Sequence, residues 1–512
     1  MRHRGRMVLG VAIAVTTSLL GAACSSPPPP PPPGPQGNAA AFLLAWARQD
    51  WPAMRSLTAA PPADFAAVNQ DAFTAMSVRQ ATFTAGKLKV NGGAASEPVT
   101  ERLVLAGLGS ITVPTALHLT QQTNGRWLVD WAPATIIPQL KSGDHVKVHL
   151  VWPARARVLA ADGTPLATLA RTVAADLEVA QERRLAGTPR ADIAVVNAAG
   201  HRVATVATLP SRPGRAVRTT IDPAIQEAAE AAMSSERKSA ALIAVNARTG
   251  AVLAAVSANA GGFDQAIDGG FPPGSTFKIL DSTALIEHGL TPASAASCPK
   301  TISEDGEVFH NAEGDGPVST LLQAFTESCN TAFIGLVSRQ LTASDIRAVG
   351  ALYGMGKTMH IGVTAFSGSV PKPVDGADLA ATSIGQGRVL VSPLDMAMVA
   401  AAVDTGTVRS PRLVIGDGSA STTRLPAGVV SGLHTMMASV VASGTAAGTG
   451  LPAGTYAKTG TAQFGTTKPL KLDAWLVGFR ADIAFAALVV DSPSDGGPTC
   501  GPIVARFLSA AA

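Results

Sequence analysis

Ser275 and Lys278 form the pair of residues in this sequence best suited to nucleophilic chemistry. They begin the apolar stretch 277–290 and follow the Pro-Pro-Gly sequence at 272–274, a pattern typical of the start of a helix. A lysine one helical turn from a serine can take the hydroxyl proton without backbone movement, and a helix N-terminus favours a developing anion. The pattern predicts Ser275 as a nucleophile and Lys278 as its base. Three other pairs have the same spacing but lack this context: Ser235/Lys238, Ser297/Lys300 and Ser369/Lys372.

Two further polar groups follow Ser275 in a fixed order. Residues 328–330 read Ser-Cys-Asn and supply a hydroxyl and an amide, while residues 458–460 read Lys-Thr-Gly and supply a cation, a hydroxyl and a residue without a side chain. Tripeptides of the same form also occur at 257–259 and 141–143, so each group by itself is weak evidence for a catalytic site. The order, with a helix expected at Ser275 and an edge strand at Lys458, selects one candidate catalytic set: Ser275, Lys278, Ser328, Asn330 and Lys458.

The segments PPGSTFK, SCN and KTGTAQ that carry these residues resemble the three active-site motifs of penicillin-binding proteins and serine β-lactamases. Further segments similar to this family are TTIDPAIQEAA at 219–229, SIGQG at 383–387, VSPLDMA at 391–397 and DAWLVGF at 473–479. The resemblance covers about the last 300 residues. RARVLAADGTPLA at 155–167 resembles the linker motif of class B members, which are purely transpeptidases. The region before it resembles the NTF2-like domain of the low-affinity, methicillin-resistance type.

The resemblance implies a peptidoglycan D,D-transpeptidase that β-lactams inhibit covalently. Because an ammonium cannot act as a base, Lys278 needs a pKa lowered by burial and by a second cation, for which Lys458 is the candidate. Lys278 then takes the proton of Ser275 as this serine attacks a D-Ala-D-Ala-like stem peptide. Ser328 is expected to relay a proton to the departing D-alanine.

The remaining motif residues are expected to bind substrate. The resemblance assigns the backbone N–H groups of Ser275 and Thr461 to the oxyanion. Asn330 is expected to hold the substrate backbone, and Lys458 with Thr459 its carboxylate. Gly460 is expected to keep the edge strand clear, so that the substrate can lie alongside it. No metal or organic cofactor is needed.

Other functions of the same motifs stay open at this point. A class A β-lactamase uses a glutamate between the second and third motifs, but residues 331–457 contain no glutamate. In a D,D-carboxypeptidase, water would replace the acceptor amine. A non-catalytic β-lactam sensor would normally need a further signalling part. A bifunctional synthase is disfavoured because no large glycosyltransferase region precedes the transpeptidase motifs.

The start of the chain resembles an export signal. Three arginines precede the apolar residues 7–20, and small residues lead to Cys24 as in a bacterial lipobox. We expect lipidation of Cys24 and a position on the outer face of the cytoplasmic membrane; the alternative is an uncleaved N-terminal anchor. The seven prolines at 27–33 predict a stiff spacer of about 20 Å. Expected partners are peptidoglycan stem peptides, β-lactams as covalent inhibitors, a glycan polymerase and division or elongation proteins.

The predicted fold class is multidomain α+β. At 512 residues the chain exceeds one ordinary core, and its net charge of +4 does not indicate a nucleic-acid partner. The predicted divisions are a signal peptide at 1–23, a lipidated spacer at 24–37, an NTF2-like α+β domain at 38–142, a linking subdomain at 143–215, and a transpeptidase domain at 216–512. The last is expected to be an α/β sandwich, similar to serine β-lactamases, with an antiparallel sheet and a helical subdomain.

Hydrophobic periodicity predicts individual elements. Helices are predicted at 41–51, 63–76, 223–233, 277–290 and 503–508. Strands are predicted at 81–90, 103–113, 146–152, 192–196, 240–245, 251–256, 475–479 and 483–490. Asn124-Gly125 predicts a hairpin turn.

Three cysteines follow Cys24, and they allow one disulfide at most. Cys298 and Cys329 are the nearest pair in sequence, and three small buried thiols are the alternative, with Cys329 pointing away from the site. Residues 303–315, which include His310 and Asn311, are expected to form a polar loop at the rim of the cleft rather than a metal site.

Overall fold

The structure is a computed structural model that describes residues 33–311, 318–417 and 421–511. The predicted signal peptide, Cys24 and most of the predicted spacer lie outside these residues. The chain folds as two compact units, one formed by the residues up to Leu150 with Ala191–Pro210, and the other by Val151–Arg190 with the residues from Ser211 onward. Across the described ranges, no helix is both long and apolar enough to cross a membrane.

Residues 33–151 form helices followed by a meander of strands. The elements are α1 (Pro35–Ala47), α2 (Trp51–Ser56), α3 (Phe65–Ala75), β1 (Val78–Ala85), β2 (Lys89–Asn91), β3 (Ala94–Leu105), β4 (Gly109–Gln121), β5 (Trp127–Val129), α4 (Pro133–Ile136) and β6 (His145–Val151). Strands β1, β3, β4 and β5 form one antiparallel sheet in this order, and β2 also pairs with β3. The long strands alternate buried and exposed residues, so one face of the sheet covers the core that the helices complete.

The predicted strand at residues 103–113 is wrong, because a turn divides it. Strand β3 ends at Leu105 and β4 begins at Gly109. Gly107 and Gly109 have φ values of +72° and +118°, which only glycine adopts readily, so the apolar pattern runs unbroken through a reversal of the chain. The predicted hairpin at Asn124-Gly125 is confirmed between β4 and β5.

The segment predicted as a separate linking subdomain, residues 143–215, is shared between the two units. Its elements are β7 (Val158–Leu159), a short 3-10 helix (Leu166–Thr168), α5 (Arg171–Ala180), α6 (Glu182–Ala186), β8 (Arg190–Val196) and β9 (Arg202–Leu209). Strands β6, β8 and β9 form a sheet whose residues Ile193 and Val195 are buried in the core of the first unit. The β8–β9 hairpin therefore belongs to the first unit, and the helices before it belong to the second.

The second unit contains the predicted transpeptidase motifs. Its remaining elements are β10 (Val217–Arg218), α7 (Pro223–Met233), β11 (Ala240–Asn246), β12 (Val252–Ala258), α8 (Gln265–Asp268), a 3-10 turn (Gly274–Phe277), α9 (Lys278–Glu287), β13 (Thr301–Glu304), β14 (Glu307–His310), α10 (Leu321–Thr326), α11 (Asn330–Gln340), α12 (Ala343–Leu352), α13 (Gly376–Ser383), α14 (Pro393–Thr405), β15 (Thr407–Arg409), β16 (Thr422–Arg424), α15 (Ala427–Ala442), β17 (Tyr456–Phe464), β18 (Lys471–Arg480), β19 (Ile483–Val489) and α16 (Gly496–Ala510).

A five-stranded antiparallel sheet organises this unit, in the order β12-β11-β19-β18-β17. Helices α7 and α16 pack together against it, as does the almost fully buried α14. Nearly every residue of β11, β18 and β19 is buried, so both faces of the sheet are covered. The predicted mixed α/β fold with an antiparallel sheet is confirmed, and β17, which carries Lys458, lies at the edge of this sheet.

One buried carboxyl in the first unit is costly. Glu101 on β3 is fully buried, and neither of its oxygens has a hydrogen-bond partner in the described parts of the chain. Burial raises the pKa of Glu101 to about 8, from 4.5. At pH values between about 4.5 and about 8, the carboxyl is therefore protonated in the folded chain but ionised in the unfolded chain.

We predict that Glu101 makes the first unit less stable as the pH rises. The folded chain keeps a proton that the unfolded chain releases, so the free energy of unfolding falls between the unfolded and folded pKa values, from about pH 4.5 to about pH 8. The loss is at most on the order of 5 kcal/mol. Glu101→Gln should make this decline clearly shallower, and the part that remains comes from other buried carboxyls with raised pKa values, such as Glu97. Urea unfolding followed by tryptophan fluorescence can measure it, since four of the six tryptophans lie in this unit.

Asp64→Asn is the matched control, because Asp64 is exposed in the same unit. It should show the same decline as the parent protein. An equal decline in Glu101→Gln would contradict the assignment of this pH dependence to Glu101.

Candidate active site

Ser275 lies in the 3-10 turn that leads directly into α9. The residue before it, Gly274, has a φ of +52°, and a Cβ atom there would lie 2.5 Å from the carbonyl oxygen of Thr461 on β17. The indole Nε1 of Trp475 on β18 donates to the carbonyl oxygen of Pro272 at 3.0 Å. The turn that carries the candidate nucleophile Ser275 (the nucleophile turn) is therefore fixed directly on the edge of the sheet.

A loop after α13 holds the same turn from another direction. Gly274 N donates to Gly385 O at 2.9 Å, and a Cβ atom on Gly385 would lie 2.0 Å from Gly274 O. Next to it, the amide of Gln386, in the orientation that satisfies both of its groups, donates to Gln463 O at 3.1 Å and accepts from Gln463 N at 2.9 Å. These residues belong to the SIGQG segment, but no role was predicted for Gln386. It continues the hydrogen bonding of β17 with a side chain.

Lys278 is fully buried and converges on the predicted motifs. Its Nζ donates to Ser275 Oγ at 3.0 Å, to Asn330 Oδ1 at 2.8 Å and to Ser328 O at 2.5 Å. The Nζ also lies 5.4 Å from the centre of the Phe333 ring. This geometry places an amine within proton-transfer distance of the candidate nucleophile.

Ser328 connects the two lysines of the site. Its hydroxyl accepts a hydrogen bond from Lys458 Nζ at 2.8 Å and lies 3.5 Å from Lys278 Nζ. Its backbone is in the left-handed region, with a φ of +61°, which is unusual for a residue other than glycine. Burial lowers the pKa of Lys458 well below its usual range, and the charge on Lys278 lowers it further. Ser275 Oγ, Lys278 Nζ, Ser328 Oγ and Lys458 Nζ thus form a continuous path for protons.

The segment behind Ser328 and Asn330 is cross-linked. Cys329 forms a disulfide with Cys298, so the alternative of three buried thiols is wrong for this pair; Cys500 is buried and free. Asn311 extends the connection, accepting from Thr331 N at 3.0 Å and donating to Pro299 O at 2.8 Å.

Part of the segment predicted as a polar loop at residues 303–315 belongs to a hairpin. Strands β13 and β14 pair with each other, and their residues reach from Thr301 to His310. Residues 312–317 of the predicted loop lie outside the described residues. The predicted loop therefore supplies Asn311, whose side chain supports the Ser328-Cys329-Asn330 motif. No such role was predicted for Asn311.

Two residues of the Lys-Thr-Gly strand make contacts that the sequence does not predict. A Cβ atom on Gly460 would lie 2.8 Å from Thr276 Cγ2 and 2.9 Å from Pro273 O, so glycine here makes room for the turn that carries Ser275. The hydroxyl of Thr459 is nearly buried and shares a hydrogen bond of 2.5 Å with that of Thr445.

The hydroxyl of Thr461, one residue beyond Gly460, donates to Asp495 Oδ1 at 3.1 Å. Both threonine hydroxyls of this strand are thus held by protein groups.

We predict that Gly460→Ala slows the acylation of Ser275 by about 10- to 100-fold, because the added methyl group must displace the turn that aligns the nucleophile. The rate at which benzylpenicillin acylates Ser275 measures the effect. The control is Gly428→Ala on α15, where a Cβ atom meets nothing within 4 Å and the rate should not change. Equal rates in the two variants would show that the turn tolerates the methyl group.

Comparison with known proteins gives consistent matches to one family. Residues 240–509 match the penicillin binding protein transpeptidase domain. Peptidoglycan D,D-transpeptidase PbpA of Mycolicibacterium smegmatis is 30% identical over 392 residues, which cover 64% of this chain and 79% of the relative. The PbpA of Mycobacterium tuberculosis H37Rv is 29% identical over 377 residues, covering 61% and 75%.

A solved structure shows the same fold. Penicillin-binding protein A from M. tuberculosis, as a ceftriaxone acyl-enzyme complex, is 27% identical, with a TM-score of 0.53 over 59% of this chain and 80% of the other. The domain match covers more than half of this chain and includes Ser275, Lys278, Ser328, Asn330 and Lys458. The chain therefore belongs to the penicillin-binding protein transpeptidase family.

Proposed function

We propose that this protein is a class B-like peptidoglycan D,D-transpeptidase that cross-links stem peptides through an acyl-enzyme on Ser275. The observation that carries the proposal is the contact of Lys278 Nζ with Ser275 Oγ at 3.0 Å, beside a second buried lysine that contacts Ser328. The relatives are named as D,D-transpeptidases, and a β-lactam acylates a structural relative. Both facts support acylation of this chain by D-Ala-D-Ala-like peptides and by β-lactams.

In the acylation step, the Ser275 oxygen attacks the carbonyl carbon of the penultimate D-alanine. Neutral Lys278 takes the hydroxyl proton, and the carbonyl oxygen becomes an oxyanion that the backbone N–H groups of Ser275 and Thr461 would bind. The C–N bond then breaks. The departing D-alanine amine takes a proton along the path through Lys278 and Ser328, whose groups already lie within hydrogen-bond distance.

In the second step, the amine of another stem peptide attacks the ester on Ser275. The amine loses a proton as the new amide bond forms, and Ser275 regains one as it leaves. Asn330, with its Oδ1 on Lys278, has an amide Nδ2 3.4 Å from His310 O that can turn toward a substrate backbone. We propose that Lys458 and the Thr459–Thr461 segment of the edge strand receive the substrate carboxylate.

Water in place of the acceptor amine would make the protein a D,D-carboxypeptidase. A β-lactamase is less well supported, because residues 331–457 contain no glutamate that could activate a deacylating water as in class A enzymes. A sensor would use the same acylation without turnover. The lifetime of the acyl-enzyme and the fate of added amines distinguish these alternatives.

We also propose that the first unit is an NTF2-like domain and that the protein belongs to the low-affinity, methicillin-resistance type. Three helices that precede an antiparallel meander support the first part. A glycan polymerase and division or elongation proteins are the proposed partners, since a transpeptidase acts on newly made glycan. Slow acylation by β-lactams would support the low-affinity assignment.

The predicted membrane attachment gives a separate test. If Cys24 is lipidated, Cys24→Ser should abolish labelling with a clickable palmitate analogue in the bacterial host and release the protein from the membrane fraction. Cys500→Ser is the control, because Cys500 is a buried free cysteine and its replacement should leave the label in place. Equal labelling of both variants would contradict lipidation at Cys24.

The main prediction concerns the adduct with benzylpenicillin. The parent protein should gain the mass of one penicillin and keep it for at least minutes, whereas Ser275→Ala should gain none, because no hydroxyl remains to form the ester. Intact-protein mass spectrometry measures both. Thr276→Ser, next to the nucleophile, should still form the adduct.

Rapid hydrolysis of penicillin without a persistent adduct would favour the β-lactamase alternative. An adduct on Ser275→Ala would show that another residue is the nucleophile.

A further inference from the structure

Asp281 is a buried carboxyl that the acylation chemistry does not use. It lies on α9 three residues after Lys278, a spacing that places two residues on the same face of a helix. The side chain is fully buried, and both of its oxygens lack a hydrogen-bond partner among the residues that the structure describes.

The packing of α9 does not account for this carboxyl. An enclosed carboxyl without hydrogen bonds destabilises a fold, and a leucine or an alanine would suit such a dry position better. The next residue, Ser282, is equally buried and also lacks a partner, so the surroundings provide no polar network for either side chain. A costly group next to a catalytic lysine calls for a functional explanation.

The charge that acts on Asp281 is that of Lys278, which opposes the rise in the pKa of Asp281 caused by burial. Other titratable groups near α9 have their own contacts. Asp345 on α12 lies 3.7 Å from His288 at the far end of α9, and the hydroxyl of Tyr353 lies 2.8 Å from that of Thr283. The remaining titratable groups on α9 and on the helices packed directly against it are Glu287, Arg339, Arg347 and His434.

The two buried lysines explain why an acidic group is needed here. Both contact the hydroxyl of Ser328 and both are fully buried, so two ammonium groups would repel each other strongly. A neighbouring carboxyl, when it is ionised, offsets the positive charge of protonated Lys278.

We propose that Asp281 is a positioning residue for the proton of Lys278: the charge of this buried carboxyl, one helical turn along α9, sets the pH at which Lys278 becomes a base. The inference rests on the proposed function. An ionised Asp281 stabilises the protonated form of Lys278, so Lys278 becomes a base at a higher pH than it would beside an uncharged side chain.

The test is the pH dependence of acylation by benzylpenicillin between pH 5 and 9, followed by intact-protein mass. In Asp281→Asn no carboxylate can hold the proton on Lys278, so the acid limb of the rate profile should move to lower pH by about one unit or more. Ser282→Ala removes a neighbouring buried polar group without changing the charge and should keep the parent profile. A purely structural role of Asp281 would change the melting temperature but not the position of the acid limb.

Asp281→Leu provides a second variant, because an apolar side chain suits the dry position if the asparagine variant does not fold. It should show the same displacement of the acid limb. Acid limbs that coincide with that of the parent protein in the folded variants would overturn the inference. Failure of the parent protein to form any adduct would instead contradict the proposed function, so the two failures can be told apart.

Discussion

Two lysine side chains, both withdrawn from water, meet at the hydroxyl of Ser328, and the architecture around them serves to make this arrangement possible. Burying one cation is unfavourable, and burying two within reach of the same hydroxyl is more so. The protein offsets the cost with carbonyl and amide oxygens around Lys278, with aromatic rings near both amines, and with the unusual backbone of Ser328. The same unfavourable burial favours unprotonated amines, which a serine nucleophile requires.

The fold brings these groups together from distant parts of the chain. Lys278 lies at the start of α9, Ser328 in a tight turn after α10, and Lys458 on the edge strand β17. The Cys298–Cys329 disulfide and Asn311 hold the segment that contains Ser328. Trp475 and the loop at Gly385 hold the turn that contains Ser275. Each group is held by a different element, so the relative positions of the lysines depend on the packing of the whole second unit.

Local patterns in the sequence were sufficient to select a candidate set of residues that lie together, but not the residues that support this set. Ser275, Lys278, Ser328, Asn330 and Lys458 stand in short motifs whose spacing reflects one helical turn or adjacent residues, and the structure brings them together. The roles of Gln386 and Asn311 depend on contacts with residues 77 and 20 positions away along the chain, which no local pattern encodes.

The errors in the predicted fold have similar origins. The strand predicted at 103–113 failed because its apolar residues continue through a glycine turn. The segment 143–215 is not a separate part, because its β8–β9 hairpin belongs to the first unit and its helices belong to the second. The close approach of Thr276 to Gly460 is also missing from local patterns, because it arises only in the folded chain.

At Gly274, Gly385 and Gly460 there is no room for a side chain, so the turn that contains Ser275 meets these neighbours largely through main-chain atoms. A surface made of main chain offers little to vary, because substitution changes side chains and only indirectly the path of the backbone. Variation that alters how readily an inhibitor reacts must therefore arise at a distance, on the walls of the cleft or in the elements behind the lysines. In this protein, the part of the site closest to the chemistry is the part least open to gradual evolutionary change.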